Sequence, residues 1–259
     1  MTKRKETLVA VLVLTTALGF PGIEQHVAQA QAPTSSKRQP GARYEEILAA
    51  VEAKRVSFAR RYREGSDEEK QRVLQEAGEY LVDVLSQQLF PRWYGTPWDF
   101  NGAARRPGEG PIACGVFVAR VLAHAGFSIS SVARLAQQPS EVIIKNLVPR
   151  SEIRRFSSVK PEKVEAVLRN WGKGVYIVGL DIHVGFVVND GDSIRFVHSS
   201  YYDPPRAVVS EPLLGRNPLA DSQYRVVGRL TNPTTLRKWV LGEPFTLQYD
   251  YFRSRHARQ

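Results

Sequence analysis

The hydrophobic period of the chain changes at Gly174, and that change constrains the fold more than any other feature of the sequence. Before it, apolar residues recur at helical spacing. Residues 43–63 place Ile47, Leu48, Val51, Val56, Phe58 and Ala59 between charges. Ser66-Asp67-Glu68-Glu69 matches a capping box, and Val73, Leu74, Ala77, Tyr80, Leu81, Val84 and Leu85 follow on one stripe. Residues 113–125 are apolar and helix-compatible, and 161–171 read as a helix with Pro161 in its first turn. After Gly174 come short β-branched runs at 175–180, 183–189, 193–199, 206–209 and 224–230. Helices first and an antiparallel sheet second predict an α+β domain. At 259 residues, 42% hydrophobic and 24% charged, the chain suits one full-sized domain and excludes a fibrous or largely disordered protein.

The first thirty residues stand outside that domain. Lys3, Arg4 and Lys5 precede an apolar run at 8–20, and Ala28-Gln29-Ala30 reads as a small-x-small cleavage site. This predicts a secretory signal over 1–30 and a secreted or periplasmic protein. An uncleaved anchor is the other reading, although the run is shorter than the roughly 20 residues of a membrane-spanning helix. No integral membrane segment is expected after processing. Residues 31–42, with Pro33, Ser35, Ser36, Pro40 and Gly41, have the composition of a flexible linker. The helical pair at 43–89 reads as a packing extension, or as a lid or partner-binding hairpin, ahead of a catalytic region at 90–259.

The formal net charge is +10. In an exported chain a diffuse positive field favours anionic partners such as wall polymers or lipid head groups, by steering. No tight Lys/Arg cluster interleaved with aromatics and no finger-type ligand spacing is present, which argues against nucleic acid.

Cys114 is the sole cysteine, so no intramolecular disulfide can form. A lone thiol in an exported protein is an inert buried residue, a site for pairing with another chain, or a group kept for chemistry. Gly108-Glu109-Gly110-Pro111 cannot continue a helix, and the segment after Cys114 can, so the thiol is expected in a first helical turn. There unpaired amides and the dipole end favour thiolate and can hold an oxyanion. The small Ala113 and Gly115 are expected to leave the sulfur open.

A thiol nucleophile needs a base and a group to orient that base. His124 lies ten residues on, about 15 Å along the same helix, and is read as a surface or capping residue. His256 lies in the basic tail and is discounted. His183 and His198 flank Asp190-Gly191, a two-residue hairpin signal. On that turn Asn189 faces Asp192, Val187 faces Ile194, Gly185 faces Phe196 and His183 faces His198, with Cβ atoms about 4.5–5.5 Å apart. The same alternation places Val184, Phe186 and Val197 on the opposite face. Two stray sheet histidines, or a weak zinc site completed by Asp181, are the competing readings.

Three segments in order resemble the NlpC-type cysteine peptidases, a papain-like family that cleaves peptide bonds in cell-wall peptidoglycan. Gly95-Thr96-Pro97-Trp98-Asp99-Phe100-Asn101-Gly102 is similar to its G-x-P-Y-x-x-G-G loop. Ala113-Cys114-Gly115-Val116-Phe117-Val118 is similar to its D-C-S-G-hydrophobic helix start, and His183-Val184-Gly185-Phe186-Val187 to its H-V-G-hydrophobic strand. Phe196-Val197-His198-Ser199-Ser200 stands where the family's orienting residue lies. The likeness covers roughly residues 90–200. Ala113, Gly115 and Trp98 replace the family's Asp, Ser and Tyr, which describes a divergent branch.

The resemblance implies a papain-like domain with its nucleophile at a helix N-terminus packed on an antiparallel sheet. It further implies a hydrolase, an amidase or endopeptidase with a Cys114–His183–His198 triad and no cofactor or metal, acting on peptide or peptidoglycan. Trp93, Trp98, Phe100 and Asn101 are expected to line the groove, Tyr94 to replace the lost tyrosine hydroxyl, and Arg105 or Arg106 to meet an anionic substrate. Two other functions share these residues: an acyltransferase or transglutaminase, and a non-catalytic wall-binding module that kept the groove.

Overall fold

A computed structural model describes residues 40–252. The expected signal at 1–30, residues 31–39 of the expected linker, and His256 lie outside the described residues. Helix α1 (Pro40–Glu64) takes in the end of that linker, because Pro40 can open a helix with its fixed φ. Ser66 caps α2 (Asp67–Asp83) by accepting the Glu69 backbone N–H. The reciprocal half of the capping box does not form, since the Glu69 carboxylate accepts from Arg61 and Arg72 instead. A π-helical turn (Val84–Leu89) carries α2 directly into α3 (Phe90–Trp93), so no break falls at residue 89.

Helices α4 (Cys114–His124), α5 (Val132–Ala136) and α6 (Ser140–Leu147) follow, then strand β1 (Ile153–Ser157) and α7 (Pro161–Trp171). The remainder is β2 (Gly174–Leu180), β3 (Val184–Asn189), β4 (Ile194–Ser199), β5 (Val208–Pro212), α8 (Pro218–Asp221), β6 (Tyr224–Arg229) and α9 (Pro233–Leu241). The strands form one six-stranded antiparallel sheet in the order β1-β6-β2-β3-β4-β5. The class is α+β, as the change of period predicts.

Both faces of the sheet are covered, which is why β2 and β3 read as unbroken apolar runs. On one face Val175, Ile177, Val184, Phe186 and Val197 share a core with Phe58 of α1, Leu81 of α2 and Phe117 of α4. The helical pair is therefore part of the main core. On the other face Tyr176, Val178, Val187 and Phe196 pack beneath Val164 and Leu168 of α7. Each such fully buried side chain contributes about 1.5–3 kcal/mol relative to exposure, and the rings of Phe90, Phe117 and Phe186 meet at centroid distances of 5.1–6.2 Å where α4 crosses the sheet. Among the described residues no helix is long and apolar enough to cross a membrane.

Candidate active site

The nucleophile candidate is set by the loop that precedes it. Residues 94–113 are stitched to both neighbours by backbone bonds: Gly95 and Trp98 donate to Val208 and Arg206, and Ala113 donates to Gly102. The Ser199 hydroxyl, fully buried at the end of β4, donates to the Ile112 carbonyl at 2.7 Å. Cys114 thus opens α4 beside the strand that carries His198. As the sequence predicts, it occupies the first helical turn; Ala113 is the N-cap and supplies no side-chain bond.

Gly115 does not keep the sulfur open. It is buried, and a β-carbon there would lie 2.2 Å from the Ala136 carbonyl oxygen, so its role is the close crossing of α4 and α5. The thiol itself is half-buried and lies against the backbone of Val184, the first residue of β3. Burial pushes its pKa up, outweighing the N–H groups of Val184, Gly115 and Cys114 that pull it down. Desolvation thus works against the thiolate expected at the helix terminus by more than the amides return.

The histidine pair forms, by a register different from the one read in the sequence. Asn189 pairs with Ile194 and Val187 with Phe196, which puts His198 opposite Gly185 and His183 one step further, beyond the paired ends. The cause is the turn. The Asp190 N–H donates to the Ser193 carbonyl while its carboxylate accepts the N–H groups of Asp192 and Ser193 and the Ser193 hydroxyl, so the two loop residues are Gly191 and Asp192, one place later than expected. The slip is by two, so every side chain keeps its face. The imidazoles meet as diagonal neighbours, with His183 Nε2 and His198 Nδ1 2.8 Å apart and their rings at 86°.

His198 is stacked on Phe196 at 4.0 Å, and its Nε2 lies 2.8 Å from Glu211 Oε1 on β5. Burial holds both histidines below the usual imidazole range, His198 at about 3 and His183 well below 6.5 with a further push from His198. Burial pushes the Glu211 carboxyl up, while Arg195 opposes it. The thiol makes no hydrogen bond to either imidazole; Tyr201 stands beside His183 and within electrostatic range of the thiol. Its ring stands 5.2 Å from that of His183, and its phenol is pushed up by burial first and, among smaller influences, by Cys114. Trp98 packs 6.1 Å from Tyr201 and carries the Arg206 guanidinium on its other flank. A small cleft of about 180 Å³ beside His183 is lined by Tyr201, Tyr202, Ile182 and Asp221.

The expected substrate contacts do not form one group. Trp98 reaches the histidine side through Tyr201. Tyr94 and Arg105 line a separate cleft of about 1100 Å³ with Arg92, Arg106 and Pro107, which includes neither Cys114 nor His183. The Tyr94 hydroxyl lies beside Ser210 and Arg195, not beside the thiol. Asn101 and Phe100 are exposed, and the Asn101 backbone N–H is held by Asp99. Trp93 is a correction: it is wholly buried at the end of α3, stacked on His124, and its indole N–H donates to the Tyr44 hydroxyl. His124 is half-buried rather than on the surface: Tyr44 Oη lies 2.8 Å from its Nδ1, and burial with Arg106 and Arg120 lowers it to about 4.

The zinc reading loses its third donor. The Asp181 carboxylate accepts from Ser222, Gln223 and Tyr224, and among the described residues no group of three His, Cys, Asp or Glu is arranged to hold a metal ion. Glu211 and Tyr201 are site residues that sequence reasoning missed. No family model, curated protein or solved structure matches the chain.

Proposed function

We propose that the protein is an exported cysteine hydrolase of papain-like type, an amidase or endopeptidase acting on cell-wall peptides. The observation that carries the reading is the 2.8 Å contact between His183 and His198, made directly beside the strand start that backs the Cys114 thiol. A buried pair of imidazoles has no packing advantage over apolar side chains, and perturbed titratable groups of this kind concentrate at functional sites.

With thiol and imidazoles neutral at rest, the chemistry is general-base attack. The Cys114 proton passes to His183 Nδ1 as sulfur bonds to the substrate carbonyl carbon. The backbone N–H groups at the start of α4 are the donors available to the oxyanion. The imidazolium gives its proton to the leaving amine as the C–N bond breaks; His183 then takes a proton from a water whose oxygen bonds to the thioester carbon, the C–S bond breaks, and the proton returns to sulfur as the acid product leaves. His198 holds His183 in orientation, and Trp98 and Tyr201 provide an aromatic wall for the substrate.

Digestion of purified wall fragments, with mass spectrometry of the products, tests this. A new amide-bond cleavage lost in Cys114→Ala is expected; unchanged cleavage by that variant overturns the mechanism. A second reading, a binding module that kept the groove, is favoured by the raised thiol pKa and the missing thiol–imidazole hydrogen bond. Fragments retained by the protein and released uncut support it.

A further inference from the structure

We propose that Glu211 is a positioning residue that sets the tautomer of both site histidines through a one-directional relay of hydrogen bonds. The inference rests on the hydrolase reading for its kinetic consequence and on geometry alone for the relay. Three groups lie in line: Glu211 Oε1 is 2.8 Å from His198 Nε2, and His198 Nδ1 is 2.8 Å from His183 Nε2. Each neutral imidazole carries one N–H and one lone pair. A carboxylate only accepts, so an ionised Glu211 requires the His198 proton on Nε2. That leaves His198 Nδ1 as an acceptor, which draws the His183 proton to Nε2. His183 Nδ1 is then a bare lone pair, the form a base toward the thiol must have.

A protonated Glu211 reverses every step. Its O–H donates to His198 Nε2, His198 Nδ1–H donates to His183 Nε2, and His183 Nδ1 bears the proton, which makes it useless as a base. The fold supports a fixed direction. His198 is fully buried and clamped on Phe196, so neither nitrogen can turn to water. Glu211 is held opposite Phe196 in the β4–β5 ladder, which keeps its side chain on the histidine face. The charged and titratable groups facing Glu211 are His198 and Arg195, both from β4. The Arg195 guanidinium is itself anchored on Ser210. Nothing in the sequence marks this glutamate, which lies thirteen residues beyond His198.

The experiment reads tautomers directly, by long-range nitrogen–proton correlation on the ring nitrogens of the full-length protein labelled with ¹⁵N. At neutral pH both histidines are expected as Nε2–H with unprotonated Nδ1. In Glu211→Gln, whose amide can donate, the His183 signal is expected to become a mixture of tautomers. In Glu211→Leu it is expected to lose its fixed form. Hydrolysis by Glu211→Gln is expected to fall about 10²-fold in kcat with KM nearly unchanged, with loss of the acid limb of the kcat/KM profile. An Nδ1–H tautomer of His183 in the unmodified protein at neutral pH, or an unaltered tautomer pattern in both variants, overturns the relay. Should the tautomers shift while no form of the protein cleaves any amide, the relay stands and the hydrolase reading falls.

Discussion

Gly185 stands across the ladder from His198, and a β-carbon on it would come within 2.7 Å of His198 Cβ and of the Phe196 ring. The histidine can cross diagonally to His183 only because that position has no side chain.

Gly185→Ala is therefore expected to displace His198 and separate the imidazoles. Overpacking of this kind costs about 1–3 kcal/mol. A drop in urea midpoint, with loss of the His183–His198 coupling in nitrogen spectra, checks it; a normal spectrum refutes it.

Ser199→Ala tests how the Cys114 thiol is held. It removes the hydroxyl that the Ile112 carbonyl accepts from, at a fully buried position. An unpaired buried carbonyl costs about 1–3 kcal/mol. Cleavage is expected to fall in kcat with little change in KM, and Ser199→Thr is expected to restore part of it if the pocket admits the methyl group. A loss confined to KM counts against this role.

Acid stability follows from the buried histidines. The folded-state pKa values of His183, His198 and His124 lie below the ordinary 6.5, the last two at about 3 and about 4. Between those values and 6.5 the unfolded chain binds more protons, so stability is complete above about 6.5 and is lost as pH falls. Glu211, pushed up, acts with the opposite sign and is outnumbered. The urea midpoint is expected to fall from pH 7 to pH 5, and His124→Asn to flatten that slope. A midpoint rising on acidification contradicts this.

Thiol reactivity separates a resting ion pair from a neutral pair. With burial pushing the Cys114 thiol up, the rate of alkylation by iodoacetamide is expected to rise with pH through a midpoint above that of free cysteine. A midpoint well below it establishes a thiolate–imidazolium pair and removes the general-base step.

Much of the fold could be read from residue spacing, and the site only in part. Ser66 announced α2, and the apolar run behind Pro111 announced α4 with Cys114 in its first turn. The faces of β3 and β4 were legible because alternation survives a slip of two. Their register was not, because Asp190 bonds across the turn to Ser193 and moves it one residue along. Strand β1 escaped notice because its exposed Arg154 and Arg155 guard a sheet edge and break the apolar pattern. Trp93 read as a groove residue because a Pro- and Trp-rich stretch suggests a loop, whereas the helix runs through it and turns the indole inward. Glu211 left no local trace, since its partner is fixed only by the pairing of β5 with β4.

The bonds from Gly95 and Trp98 to Val208 and Arg206 join parts of the chain more than a hundred residues apart. A loop closed at that range carries the entropy cost of a long closure, which the pairing of the intervening strands reduces. The loop that leads into Cys114 is anchored only when residues 206–208 have joined it. A chain cut short ahead of residue 206 would hold its cysteine on an unanchored loop, so the proposed activity is expected to appear only once that segment has been made.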